Sequence, residues 1–143
     1  MNGWKKKVAV ALQNLSKDRQ AIKGLEAEIL EKQADMIHLT ELGYGQPDDP
    51  EGAPSPRIRK LMDEKRVLEA KKAAKVAHVE QVDSVLAALE KDSRDVLVEC
   101  YCTRGDIVAA VIRLQRKLNT SESTVYRIKR QAMREFAQRM GWI

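Results

Sequence analysis

The residues with the clearest capacity for chemistry lie at positions 118–130, where the chain reads LNTSESTVYRIKR. A leucine followed by a short polar turn and then a serine predicts that one helix ends and another begins, with Ser121 capping the second helix. In that second helix the apolar Val125 and Ile128 fall on the inner side. The polar and basic residues near its start then project outward. These residues are Glu122, Ser123, Tyr126, Arg127 and Arg130.

Two helices arranged in this way suit the reading of duplex DNA, because the start of the second helix can enter the major groove. Arg127 can donate two hydrogen bonds to the edge of one guanine. A second group of basic and hydroxyl side chains suits phosphates, which position a protein on DNA without revealing its sequence. We therefore expect double-stranded DNA to be the ligand. The phosphate-facing group comprises Arg116, Lys117, Ser121, Thr124, Lys129 and Arg134.

The distribution of charge along the chain agrees with this expectation. The formal net charge is +5 over 143 residues. Residues 1–103 contain 17 basic and 18 acidic residues, whereas residues 104–143 contain 9 and 3. The whole excess of positive charge therefore lies in the last quarter of the chain, as expected of a segment that meets a polyanion. From charge alone, a basic tail without a nucleic-acid partner is the alternative interpretation.

Over residues 92–139 the chain resembles region 4 of the sigma-70 factors. It is more closely similar to the ArpU and RinA-type late transcription regulators of phages that infect Gram-positive bacteria, which also tend to carry a long, interrupted helical segment before the helix-turn-helix. The resemblance implies promoter binding, control of late or packaging genes, base contacts by Glu122, Ser123 and Arg127, and Tyr126 close to the backbone or a base edge. It rests on Leu118, Ser121, Thr124-Val125, Tyr126-Arg127 and the run Ala132-Met133-Arg134-Glu135-Phe136-Ala137.

Residues 1–90 are predicted to form a long antiparallel helical hairpin of the coiled-coil type. Apolar residues recur every seven positions over residues 3–42 and again over residues 58–89, where Lys75 interrupts the series, so each helix has one apolar stripe that needs a partner. Prolines and glycines at residues 43–56 predict the loop between the two helices. The repeating positions are Val8, Leu15, Ile22, Ile29 and Met36 in the first helix and Leu61, Leu68, Val82 and Leu89 in the second.

Several partners remain open for these apolar stripes. The two helices can pair within one chain, the hairpin can self-associate into a four-helix dimer, or it can pack on the carboxyl-terminal domain; we expect a homodimer. A basic cluster on the second helix can flank bound DNA, although a solvated helix face is the favoured interpretation. This cluster comprises Lys65, Arg66, Lys71, Lys72 and Lys75.

Residues 91–143 are predicted to form the helix-turn-helix domain. Asp92 or Ser93 can cap a helix over residues 94–102, and residues 103–106 break the chain. A further helix is predicted over residues 107–118, ahead of the helix that Ser121 caps. We expect Trp4 and Trp142, near the chain ends, to be packing residues.

Composition predicts the all-α class, because aromatic residues make up only 4% of the chain and charged residues 33%. No run of about 18 apolar residues and no secretory signal is present, so we expect a cytoplasmic protein that does not enter a membrane. The resemblance to phage regulators implies that this is the cytoplasm of a bacterial host. Cys100 and Cys102 are expected to be reduced. The sequence offers no Gly-rich phosphate loop, acid-base carboxylate pair or metal cluster, so we expect neither catalysis nor a cofactor.

Three functions fit these features. The first is a sequence-specific transcription regulator that helps or replaces contacts of host RNA polymerase at a phage promoter. The second is a small terminase-like packaging adaptor that recognises phage DNA and forms a ring through its helical arm. The third is a module whose arm binds polymerase or another factor while the basic domain binds DNA weakly. Solution mass separates the first two, since the regulator is expected to be a dimer.

Overall fold

The computed structural model describes residues 3–43, 55–103 and 105–143, and all regular structure in these ranges is helical, which confirms the predicted all-α class. Among the described helices, none combines the length and apolar character that a membrane span requires. The helices are α1 (Gly3–Gln13), α2 (Leu15–Glu41), α3 (Pro56–Ala88), α4 (Lys91–Leu97), α5 (Ile107–Lys117) and α6 (Glu122–Arg139), with a π-helical turn at Val98–Cys102 after α4.

Two compact units share these helices. The terminal unit contains the chain up to Asp18 together with His78–Ile143, and the middle unit contains Arg19–Ala77. The sequence predicted a boundary after residue 90, which falls inside the terminal unit. The reason is that α1 packs against α6 and the π-helical turn, so that Val8 and Leu12 have no exposed surface.

The first predicted helix, over residues 3–42, is present as two segments separated by Asn14. The Asn14 N–H donates to the Val10 carbonyl at 2.9 Å, and the Asn14 carbonyl accepts from the Asp18 N–H at 2.8 Å, so helical hydrogen bonds continue past the break. Asparagine is a weak helix former because its side chain competes for nearby backbone groups. The seven-residue repeat indicated the helix but gave no sign of this interruption.

The start of α3 corrects the end of the predicted loop. Pro56 was placed in the loop over residues 43–56, yet it is the first residue of α3, where its fixed φ and missing N–H are favourable. Ser55 precedes it, and its hydroxyl accepts a hydrogen bond from the Ile58 N–H at 3.3 Å. This is the geometry of a serine N-cap. The rest of the predicted loop, residues 44–54, lies outside the described residues.

In the middle unit, α2 and α3 run in opposite directions. Lys32 Nζ lies 2.8 Å from Glu64 Oε2, and Lys72 Nζ lies 3.4 Å from Glu26 Oε1, so a step forward along α2 matches a step backward along α3. Ile29 and Ile58 are the buried apolar side chains among the residues of this unit that the structure describes. Apolar burial and ion pairs between the helices therefore act together here.

Much of the basic cluster on α3 is held in ion pairs. Lys65 pairs with Glu69 at 3.5 Å, Arg66 with Asp63 at 4.0 Å, and Lys72 with Glu26, as above. Exposed pairs of this kind are ordinary on the solvated face of a long helix and contribute little to stability. These contacts support the solvated-face interpretation of the cluster.

The helix predicted over residues 94–102 begins earlier and changes its geometry before it ends. α4 starts at Lys91 with Glu90 as its N-cap residue, and no side chain caps it, so Asp92 and Ser93 are not the cap. Both residues lie instead in the first turn of α4, where the positive end of the helix dipole stabilises the Asp92 carboxylate. The last five residues form the π-helical turn, in which Cys100 and Tyr101 are buried.

The core of the terminal unit lies around α6. α4, α5 and α1 all pack against α6, and Phe136 and Val125 on α6 have no exposed surface. Gly141, at φ 78°, turns the chain back after α6, so that the Trp142 N–H donates to the Ala137 carbonyl at 2.9 Å. The Trp142 ring then lies 6.1 Å from the Phe136 ring, centroid to centroid, as expected of a packing residue.

Candidate nucleic-acid interface

The connection between α5 and α6 is a tight turn built on Asn119. This residue is left-handed, at φ 50°, and its N–H donates to the Arg116 carbonyl at 3.4 Å. The Thr120 N–H donates to the Gln115 carbonyl at 3.1 Å. These two bonds form a Schellman motif, which satisfies the last carbonyls of α5 and reverses the chain. The turn ends at Ser121, immediately before α6 begins.

Ser121 caps α6, as the sequence predicted. Its Oγ accepts a hydrogen bond from the Thr124 N–H at 3.3 Å and lies 2.9 Å from the Thr124 Oγ1 and 3.3 Å from the Ser123 Oγ. Three hydroxyl groups therefore cluster at the exposed start of α6, where free backbone N–H groups and the helix dipole favour negative charge. The phosphate contacts expected of Ser121 and Thr124 stay a prediction.

The inner face of α6 is buried as expected. Val125 has no exposed surface, and Ile128 is half-buried. Ala132, Met133 and Phe136 continue the buried face toward the end of the helix. This packing fixes the rotation of α6 and therefore determines which residues can face a ligand.

The outer face of α6 is a basic stripe. Ser123, Arg127, Arg130 and Arg134 follow one another at steps of four, three and four residues, which places them on one line of a helix. All four are exposed. Within the part of the chain that the structure describes, none of the three arginines has an ion-pair or hydrogen-bond partner for its side chain. Their guanidinium groups are thus available to an external partner.

A shallow open depression marks the beginning of this face. Four of the five residues predicted to face bases line it together with the capping serine, and Arg127 lies on the helix line beside it. Tyr126 is half-buried, whereas the other predicted base-facing residues are exposed. The surface mixes hydrogen-bond acceptors, hydroxyls and a cation. Its lining residues are Ser121, Glu122, Ser123, Tyr126 and Arg130.

The residues expected to contact phosphates divide into two groups. Arg116 and Arg134 are exposed, and no other described side chain engages them. Lys117 Nζ instead lies 3.7 Å from Asp95 Oδ2. Lys129 Nζ lies 5.4 Å from the centroid of the Tyr101 ring and 5.7 Å from that of Tyr126.

Both lysines therefore make contacts within the terminal unit. Lys117 forms an ion pair, and Lys129 lies near aromatic rings, whose faces attract a cation. The sequence offered no signal for the contacts with Asp95 and Tyr101, since these residues are distant along the chain, whereas Tyr126 stands three residues before Lys129. Lys117 joins the end of α5 to α4. Lys129 joins α6 to the π-helical turn, where the Tyr101 hydroxyl also donates to the Met133 Sδ at 3.4 Å.

Two further contacts hold α5 in position, and neither was predicted. The Asp106 side chain accepts a hydrogen bond from the Ala109 N–H at 3.0 Å and so caps α5. A local signal for this cap was present, because an aspartate stands directly before an apolar-periodic segment. Arg113 Nε donates to Glu99 Oε2 at 3.4 Å and ties α5 to the π-helical turn.

Cys100 and Cys102 are not joined in a disulfide bond. Cys100 is buried in the terminal unit, and this burial raises the pKa of its thiol above the ordinary value. A protonated, enclosed thiol is a packing group and a poor nucleophile. Across the described ranges, no three histidine, cysteine, aspartate or glutamate side chains form a group that could hold a metal ion.

Of the side chains expected to contact DNA, the structure thus places Ser123, Arg127, Arg130 and Arg134 on one exposed line of α6, whereas Lys117 and Lys129 are engaged within the terminal unit. Comparison with known protein families, curated proteins and solved structures found no match for this chain.

Proposed function

We propose that this protein is a sequence-specific, duplex-DNA-binding transcription regulator and that α6 is its reading helix. The observation that carries the proposal is the row of arginines Arg127, Arg130 and Arg134 on the exposed face of α6, whose opposite face is buried. None of the three has a partner among the described side chains. An exposed row of unpaired guanidinium groups is unusual without a polyanionic partner, because like charges on neighbouring turns repel one another.

The start of α6 is the part that would enter the major groove. Arg127 would donate two hydrogen bonds to a guanine, and Glu122 would accept one from a cytosine amino group. Ser123, Tyr126 and Arg130 would make the neighbouring base contacts. Arg116 and Arg134 would neutralise phosphates on either side, with Lys117 and Lys129 adding charge from their internal positions.

The type of DNA-binding fold and the kind of regulator are part of the same proposal. We take α5, the Asn119 turn and α6 as a helix-turn-helix similar to region 4 of the sigma-70 factors, and α2 with α3 as a coiled-coil-like hairpin that carries it. The likeness to ArpU and RinA-type regulators then suggests a phage or prophage late-gene activator, working as a dimer in the bacterial cytoplasm and contacting host RNA polymerase. The capped, left-handed turn between two amphipathic helices supports this interpretation.

The decisive experiment is selection of binding sites from random duplexes, followed by affinity measurements on Arg127→Ala. We expect a single enriched motif, and a loss for Arg127→Ala of about 1–3 kcal/mol of binding free energy confined to one base position. Arg139→Ala is the matched control, because it removes the same charge from the same helix at a residue already paired with Glu135. It should change affinity by less than about 0.5 kcal/mol.

The salt dependence of binding provides an independent test. Each phosphate contact releases a counterion, so the slope of log affinity against log salt should fall by about one unit in Arg134→Ala. Arg127→Ala and Arg139→Ala with equal losses at every base position would contradict sequence reading by α6. A solution mass of about eight or more subunits would favour the packaging adaptor over the regulator.

A further inference from the structure

One line of residues along α2 is exposed from its first member to its last. It comprises Lys23, Ala27, Leu30, Ala34, Ile37 and Glu41, and we call it the outer stripe. Leu30 is 65% exposed and Ile37 is 61% exposed, and the other four are exposed as well. Among the described side chains, neither Lys23 nor Glu41 has an ion-pair partner.

The spacing of the outer stripe is that of a helix interface. Its members follow at alternating steps of four and three residues, the heptad spacing that keeps a seam facing a partner helix. Isolated exposed leucines need no explanation. Four apolar residues on one line, closed by a charge at each end, indicate a surface that another helix covers.

The order of residues along the outer stripe identifies the partner as a second copy of itself. If two α2 helices meet antiparallel with their two-fold axis at the level of residue 32, then Leu30 faces Ala34 of the second copy and Ile37 faces Ala27. Each layer thus opposes a large side chain to a small one. Lys23 of each copy faces Glu41 of the other, which adds two opposite-charge pairs.

A parallel arrangement lacks this complementarity. It would oppose Lys23 to Lys23 and Glu41 to Glu41, and each apolar layer would hold either two large side chains or two alanines. Like charges in contact are destabilising. The self-complementary antiparallel arrangement is an isologous interface, the kind found in two-fold symmetric dimers.

We infer that the outer stripe of α2 is the homodimer interface of this protein. This interface deepens the proposed function, in which the regulator is a dimer. Only the biological use of the dimer rests on that proposed function. Dimerisation is measured without DNA, so it can stand while DNA reading fails, or fail while DNA reading stands.

Charge reversal in the full chain tests both the surface and its orientation. Sedimentation equilibrium is measured for the unchanged chain, Lys23→Glu, Glu41→Lys and the double variant that carries both changes. Each single variant turns two attractive pairs into two repulsive ones, so we expect its dimer dissociation constant to rise about tenfold. The double variant restores opposite charges at both ends and should return to within about threefold of the unchanged chain.

The double variant separates the two orientations. In a parallel dimer it would still oppose like charges, and no recovery would follow. A double variant as weak as either single one therefore overturns the antiparallel register. A chain that stays monomeric up to about 100 μM overturns the interface itself.

The apolar layers are tested with a matched pair of substitutions. Leu30→Ser removes one large side chain from each of two layers, and we expect the dimer dissociation constant to rise about a hundredfold. Val67→Ser is the control, because Val67 is 55% exposed on α3 of the same unit and lies off the outer stripe. Circular dichroism checks that both variants keep their helices. Equal weakening by the two changes would refute the assignment of this face.

Discussion

At the scale of single residues, the turn before α6 depends on the conformation of Asn119. Its φ of 50° is unfavourable for most side chains, and asparagine tolerates it better than other residues except glycine. The next residue of the turn, Thr120, has no such left-handed backbone. Ser121 then caps α6 from a β-region backbone, so Asn119 and Ser121, on either side of Thr120, set the direction in which α6 leaves α5 through different conformations.

Substitution of Asn119 should therefore change stability in both directions. Asn119→Gly should raise the free energy of unfolding by up to about 1 kcal/mol, because glycine occupies the left-handed region without strain. Asn119→Val should lower it by about 1–2 kcal/mol through clashes of its branched side chain. Urea denaturation measures both.

Thr120→Gly serves as the control for the turn and should give no gain, since Thr120 has an ordinary φ. Destabilisation by Asn119→Gly, or an equal gain at Thr120, would show that strain at Asn119 is not what limits the turn.

At the scale of elements, the pairing of α2 with α3 includes a titratable contact. The Lys32 ammonium donates to the Glu64 carboxylate at 2.8 Å, and this hydrogen bond holds the pKa of Glu64 below its ordinary value of 4.5. The same contact raises the pKa of Lys32. A carboxyl group with a lowered folded-state pKa contributes stability above its unfolded pKa and loses it as the pH falls through the folded value.

A fall in pH should therefore lower the stability of the unchanged protein more than that of the Glu64→Gln variant. We expect the melting temperatures of the two proteins to differ at about pH 7 and to converge in acid, once the pH has fallen below the lowered pKa of Glu64. Thermal melts across this range, followed by circular dichroism, measure the difference.

Glu28→Gln is the matched control on α2, because Glu28 has no ion pair among the described side chains. Its melting temperature should follow that of the unchanged protein at every pH. A constant offset for Glu64→Gln from neutral to acid pH would disprove the role assigned to this pair.

At the scale of the whole molecule, both ends of the chain contribute to the unit that carries α6. Leu12 on α1 has no exposed surface, and Lys7 Nζ lies 5.8 Å from the centroid of the Trp142 ring. Helix α6 is thus supported by residues more than a hundred positions away. A fragment that begins at residue 91 would lack this support.

Truncation of Leu12 tests this dependence. Leu12→Ala should lower the free energy of unfolding by about 2–5 kcal/mol, because it leaves a cavity in the core. Val10→Ala, on the same helix at a residue that is 42% exposed, should cost less than about 0.5 kcal/mol. Hydrogen exchange should quicken in α6 for Leu12→Ala alone. Unchanged exchange in α6 would mean that α1 does not stabilise it.

Local signals explain what could be predicted of the site. α5 was expected over residues 107–118 and is found at Ile107–Lys117, and Ser121 caps α6 as expected. The outward position of Arg127 and Arg130 followed from the same helix, once Val125 was taken as its inner side. Each of these inferences depends only on residues within a few turns of one another, where periodicity and capping chemistry operate.

By itself, then, the sequence determined the all-α class, the two helices of the candidate interface and the side of α6 that faces outward. Tertiary structure alone decided that α1 belongs with α6, that Lys117 is held by Asp95 and Lys129 by Tyr101, and that α4 ends in a π-helical turn. The physical reason is range: helix periods and caps are short-range, whereas burial of an apolar face and pairing of a lysine depend on which distant element lies against it.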